Sequence, residues 1–185
     1  MKKAVTFLVI LLFASSAFAQ GSIWFDGSFD DAKAKAEKEG KLILIDFYSD
    51  GWGGCRLLDE QFFGDSNFHP YITGKFIPVR AVRGEELGDA LYKKYNVRAT
   101  PTVAITQATG DEIDRVIGYS APPEGFKERL EESLDNENTF ANLFKAYNEN
   151  PDDLKAAFQL ASRYNDTYRT DQASELFDKI LTSPD

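Results

Sequence analysis

The run Leu42-Ile43-Leu44-Ile45-Asp46-Phe47-Tyr48 is apolar at nearly every position, and it leads through Ser49-Asp50-Gly51-Trp52-Gly53-Gly54 into Cys55-Arg56-Leu57-Leu58-Asp59. A short apolar run without alternation is the pattern of a central strand covered on both faces. The glycines open a turn, and Leu57, Leu58, Phe62 and Phe63 then give an apolar face to a helix running from near Trp52 to about Gly64. A strand buried on both sides needs helices above and below it, which directs the chain to an α/β architecture. One acid, Asp46, lies inside that strand, and the only cysteine of the chain, Cys55, lies in the first turns of the helix.

The flanking segments fit the same plan. Ser28 or Asp30 can cap a helix reaching Glu39, favoured by Ala32, Ala34 and Ala36 and stopped by Gly40. Ahead of it, Ile23-Trp24-Phe25 reads as a short first strand or an apolar lead-in. Asp65-Ser66-Asn67 breaks the second helix, and a shorter helical turn, Phe68 to Thr73, follows. Lys75 to Val82 is the next strand, and Pro78 makes it irregular or edge-like because proline cannot donate to a ladder. A helix opens at Gly84-Glu85-Glu86 and reaches Tyr95, with Leu87, Leu91, Tyr92 and Tyr95 at helical spacing and Asn96 as its cap. Pro101 to Gln107 is a strand, Ala108-Thr109-Gly110-Asp111 a hairpin turn, and Glu112 to Ile117 the returning strand. Ala121-Pro122-Pro123 punctuates before a helix from Glu124 to Leu134.

Two motifs carry a resemblance to the thioredoxin-like proteins. Asp46-Phe47-Tyr48 matches the run that holds the family's buried acid; six residues on, where the first cysteine of a Cys-x-x-Cys pair belongs, stands Trp52, and nine on stands Cys55. Arg56-Leu57-Leu58-Asp59 continues like the segment after the second cysteine in periplasmic members. Val97-Arg98-Ala99-Thr100-Pro101-Thr102 is similar to the loop in which the family has a cis-proline facing the redox site, and Gly118-Tyr119 to the glycine after its last strand. The resemblance covers roughly residues 24–135. It implies a thioredoxin-like fold, a central mixed sheet flanked by helices, with elements in the order β-α-β-α-β-α-β-β-α.

Beyond the polar stretch Asp135-Asn136-Glu137-Asn138 the chain turns helical: Thr139 to Asn148, Pro151 to Tyr164 and Thr170 to Leu181. From Leu154 the pattern Leu160, Ala161, Tyr164, Ala173, Phe177, Ile180, with Pro184 near the end, resembles one tetratricopeptide unit; a generic helical hairpin fits equally well. One such unit cannot bury its own faces, so it should pack on the preceding helix, on the α/β domain or on another chain. At the other end, Met1-Lys2-Lys3, the apolar run Ala4 to Phe13 and Ala17-Phe18-Ala19 read as a secretory signal peptide cleaved after Ala19. The expected organisation is therefore a leader over 1–19, a thioredoxin-like domain over 20–138 and a helical tail over 139–185, in a periplasmic or secreted protein.

Charge narrows the partners. The formal net charge is −9, and loss of Lys2 and Lys3 with the leader would take it to −11. Phosphate backbones and anionic lipid both need a basic face, so neither nucleic acid nor a membrane surface is expected once the leader is gone. A protein or peptide partner is expected, with the chain itself a monomer or weak dimer. No cofactor is expected, and a lone histidine, His69, cannot build a metal site.

One cysteine cannot form an internal disulfide, so Cys55 is an inert buried thiol, an intermolecular partner or a reactive monothiol. The resemblance implies that the first cysteine is the attacking thiolate; Trp52 has no thiol, which excludes the dithiol cycle. What the family match leaves is Cys55 in the resolving position, Asp46 as the acid assisting its proton transfer, and Thr100 and Pro101 as the loop that holds an extended strand by β-addition. Cys55 and Asp46 are thus the catalytic candidates; Trp52, Thr100 and Pro101 are the binding candidates. The plainer alternatives are a Cys55 packed as a small apolar residue, an Asp46 satisfied by hydrogen bonds and a purely structural Pro101. Trp52 either stands out as an anchor for a partner or folds back onto Pro101. Three functions remain: a redox-degenerate protein binding an extended partner segment, a monothiol exchanger using Cys55, and structural association through the tail.

Overall fold

A computed structural model describes residues 22–134 and 137–183. The leader-like segment 1–19, Asp135-Asn136 in the linker, and Pro184 lie outside the described residues. The elements run α1 (Phe29–Glu39), β1 (Leu42–Tyr48), α2 (Gly53–Leu58) continuing as a π-helical turn (Asp59–Phe63), α3 (His69–Lys75), β2 (Phe76–Val82), α4 (Glu86–Lys94), β3 (Thr102–Thr106), β4 (Glu112–Ile117), α5 (Pro123–Glu132), α6 (Phe140–Glu149), α7 (Leu154–Asp166) and α8 (Thr170–Thr182).

Local chemistry starts and stops these elements where it should. Ser28, not Asp30, caps α1: its Oγ accepts from the Asp31 N–H at 3.1 Å while Asp31 accepts from the Ser28 N–H at 3.2 Å. Gly40 ends the helix in the left-handed region at φ 63°. Asn96 likewise turns left-handed just after α4, at φ 49°.

The sheet has the order β2-β1-β3-β4, with β1 and β2 parallel and the other pairs antiparallel. Strand alternation sends Ile43, Ile45 and Phe47 to the face covered by α1 and α4, where they meet Ala32, Ala36, Leu91, Tyr92 and Tyr95. It sends Leu44 to the opposite face with Leu58, Phe62, Ile72, Phe76, Phe126 and Leu130, under α2, α3 and α5. Asp46 shares the parity of Leu44 and Arg80 that of Phe76, so both project toward the α2 side. This is the mixed, helix-flanked sheet of a thioredoxin-like fold, extended by three C-terminal helices.

One expected strand is absent. Ile23-Trp24-Phe25 is not a strand but an apolar lead-in, and the order begins with α1. A single main-chain bond, Phe25 N–H to the Pro78 carbonyl at 2.7 Å, is all the pairing it makes with edge strand β2, while Ile23 and Trp24 pack on the α2-side core. Indole and apolar burial, not a ladder, holds it.

The tail has a small core of its own, Leu143, Leu160, Ala161, Tyr164, Ala173 and Leu176. It also docks on β4 through charged groups. Arg169 pairs with Glu112, which Arg115 grips through Nε and Nη2 at 2.7 Å each. Arg163 pairs with Asp114. Burial would raise Glu112, but Arg115 and Arg169 hold it below the ordinary carboxylate value. At the exposed edge, Arg98 pairs with Asp171 at 2.6 Å and Asn96 donates to Gln172 at 2.8 Å. A polar-looking hairpin strand is thereby buried under a second layer.

Candidate functional site

The carboxyl end of β1, the start of α2 and the loop before β3 converge. Asp46 is fully buried in the middle of β1, in register with Arg80 on β2 and Val103 on β3. One of its oxygens, Oδ2, accepts from Arg80 Nε at 3.2 Å and lies 3.2 Å from Arg80 Nη2; the other, Oδ1, is buried without a partner among the described residues. Burial pushes the Asp46 carboxyl up to about 7, against the pull of the Arg80 charge and with help from Asp59.

Arg80 is the hub of this polar cluster. Its guanidinium also pairs with Asp59, which the π-helical turn after α2 brings into reach. Trp24 and Tyr48 flank it, with ring centroids 4.0 and 4.7 Å from the guanidinium carbon. An arginine spread over two rings and shared by two carboxylates has little rotamer freedom left. Neither Arg80 nor the Trp24 contact was evident as part of the site from the sequence. The one available signal was a charged residue inside the apolar run Phe76 to Val82.

Cys55 sits in the first turn of α2, with its N–H bonded to the Trp52 carbonyl at 3.1 Å, and it is 1% exposed. Burial pushes its thiol above the ordinary value; hydrogen bonding with the Ser49 main chain and the Thr100 side chain opposes this, and the Asp46 charge adds to it. The sulfur is therefore wedged between β1 and the loop before β3 as a neutral thiol, not presented at the surface.

Trp52 is the residue that faces outward, at 57% exposure, from the turn just before α2. Its indole nonetheless lies along the site. A Cβ placed on Gly54 would come within 3.2 Å of both Pro101 Cδ and Trp52 Nε1, so the proline ring and the indole edge both close on the side of Gly54 where a side chain would stand. The two expectations for Trp52 thus merge: one side rests on the Gly54–Pro101 corner and the rest is open. The Thr100–Pro101 peptide bond is cis, and Pro101 is anchored through its carbonyl, which accepts from the Gly118 N–H at 2.8 Å. Thr102 Oγ1 donates to the Ala99 carbonyl at 2.8 Å and closes the loop from the other side.

All five residues singled out from the sequence, Asp46, Cys55, Trp52, Thr100 and Pro101, therefore fall in one region, layered from buried acid through buried thiol to exposed indole. His69 is elsewhere, its Nε2–H donating to the Phe63 carbonyl at 2.8 Å behind the π-helical turn. No described helix is long and apolar enough to cross a membrane.

Comparison with known proteins identifies the fold family. A family described as a thioredoxin-like domain matches residues 29–134. A thioredoxin H-type of Oryza sativa subsp. indica is 32% identical over 90 residues, spanning 49% of this chain and 68% of the relative. The thiol:disulfide interchange protein DsbD of Cronobacter sakazakii is 29% identical over 94 residues, 49% of this chain, but the match spans only 16% of that longer protein. Among solved structures, a candidate disulphide-isomerase from Bacteroides thetaiotaomicron superposes with a TM-score of 0.54 at 29% identity, covering 62% of this chain and 93% of that one.

Proposed function

The chain belongs to the thioredoxin-like domain family, and from that premise we propose that it is a redox-degenerate member that binds an extended segment of another protein across Trp52 and the Thr100–Pro101 loop. Trp52 takes the position of the attacking cysteine, three residues before Cys55, and the chain has no other thiol. The observation that carries the reading is the exposure at the site: the sulfur is buried and the indole, at the position of the attacking cysteine, is open. An exposed aromatic resting on a rigid corner loses little entropy when a partner covers it, which is the behaviour of an interface anchor. Beside it, the Thr100 N–H and C=O make no hydrogen bond among the described residues, leaving them for a strand added at that edge. The leader-like segment supports an exported, periplasmic or secreted, location. The tail, similar in pattern to one tetratricopeptide unit, offers a second contact surface, with Phe144 and Phe158 exposed on α6 and α7.

The alternative is monothiol exchange by Cys55. It is favoured by the thiol–disulfide names among the relatives and by the retention of Asp46 next to the thiol. Burial and a raised pKa both oppose it, since the thiolate is the nucleophile.

Selection of binding peptides against the folded chain separates the two. Under the binding reading, Trp52→Ala weakens the selected peptides at least about tenfold, the loss of one interface anchor, while Cys55→Ser leaves them unchanged. Capture that depends on Cys55 and is reversed by reductant overturns it.

A further inference from the structure

The seam between β4, α5 and α7 holds an open cavity of about 220 Å³ whose wall carries Arg115, Arg129 and Arg163, together with Asp114, Glu132 and Ser133. Arg115 is fully committed and Arg163 only partly. Arg115 grips Glu112 and donates to the Tyr95 carbonyl at 2.7 Å; Arg163 pairs with Asp114 through Nη2. Arg129 is different. It donates only to main-chain carbonyls, Ile117 at 2.6 Å and Gly118 at 3.3 Å, and no carboxylate among the described residues lies within ion-pair distance of it. Arg163, which also lines the cavity, has a buried Nε with no hydrogen-bond partner among the described residues. With Arg169 behind the wall, the described residues of the seam gather four guanidiniums against the carboxylates of Glu112, Asp114 and Glu132, in a chain whose formal net charge is −9.

We infer that this cavity is a binding site for a small oxyanion, a carboxylate or phosphate group, held by Arg129 of α5 and Arg163 of α7. The inference is independent of the partner-binding face. The cavity has the volume of several water molecules at about 30 Å³ each, enough for inorganic phosphate or a compact carboxylate. Guanidiniums are suited to it because their planar fork matches two oxygens of one anion, and charge-assisted bonds of this kind are stronger than neutral ones. The acidity of the chain as a whole and Glu132 in the lining favour a compact anion over a polyanion. A bound anion would touch both the α/β domain and the tail, and so would tighten their docking by binding only the docked form.

The test uses the full folded chain and follows the side-chain Nε–H resonances of Arg129 and Arg163. Sodium phosphate and sodium acetate are titrated separately, each against sodium chloride at matched ionic strength. The site predicts saturable shifts of both resonances with at least one oxyanion, and which one saturates assigns the group. Arg129→Gln should weaken that binding at least about tenfold, the loss of a charged hydrogen-bond donor. Glu132→Gln, an exposed change that leaves the packing intact, should tighten it. Shifts no larger than those with chloride overturn the proposal, as does unchanged affinity in Arg129→Gln. Should that variant fail to fold, unchanged or weaker binding by Glu132→Gln overturns it instead.

Discussion

Asp46 and Arg80 are register partners on adjacent parallel strands, and Arg80 reaches a single oxygen of Asp46 while the other oxygen stays buried and unpaired among the described residues. The carboxyl is thus half-compensated. Its pKa is pushed up to about 7 from an ordinary 3.8. Between those values the folded protein holds a proton that the unfolded chain has released. The contribution of Asp46 to stability is therefore complete below about pH 4 and is lost as pH rises through about 7. Asp46→Asn removes the titration. Urea unfolding should show wild type losing about 3 kcal/mol relative to the variant between about pH 5 and about pH 8. Parallel pH profiles would contradict the assignment.

Gly54→Ala tests the corner beneath the indole. The added methyl would meet Pro101 Cδ and Trp52 Nε1 at 3.2 Å each, and the proline is fixed while the indole can move. The expected outcome is a stability loss of about 1 kcal/mol together with a Trp52 more accessible to a collisional quencher. Unchanged quenching would mean that the indole does not rest on that corner.

The tail should divide its docking energy unevenly. Glu112→Gln leaves Arg115 and Arg169, both nearly fully buried, without their shared carboxylate, and should cost about 3–5 kcal/mol. Arg98→Ala breaks a pair whose side chains are half or more exposed, and should cost under about 1 kcal/mol. Denaturant titration of the two variants checks the ranking; a larger loss from Arg98→Ala would contradict it.

The backbone plan was legible in the sequence because it is written in local signals. The apolar run at β1, the glycines before α2 and the six- and nine-residue offsets from Asp46 to Trp52 and Cys55 all lie within about twenty residues. Pairings between distant segments were not legible. Arg80 is 34 residues from Asp46, and only the β1–β2 register brings them together. Glu112, Asp114 and Arg115 are charged residues of a short hairpin strand, and the helices that bury them lie some fifty residues on. Ile23-Trp24-Phe25 had the composition of a strand, but the edge it lies along carries Pro78, and one main-chain bond plus aromatic packing holds it instead.

Under the proposed binding function, this site engages its partner through the indole and does no thiol chemistry. The most direct measurement is the rate at which Cys55 of the folded chain reacts with a small disulfide reagent across pH. A thiol 1% exposed, with its pKa raised by burial, should remain unreactive until the protein is denatured. Rapid reaction in the folded state, with a midpoint well below about 8.5, the value of a free thiol, would reveal an activated thiolate and contradict the account.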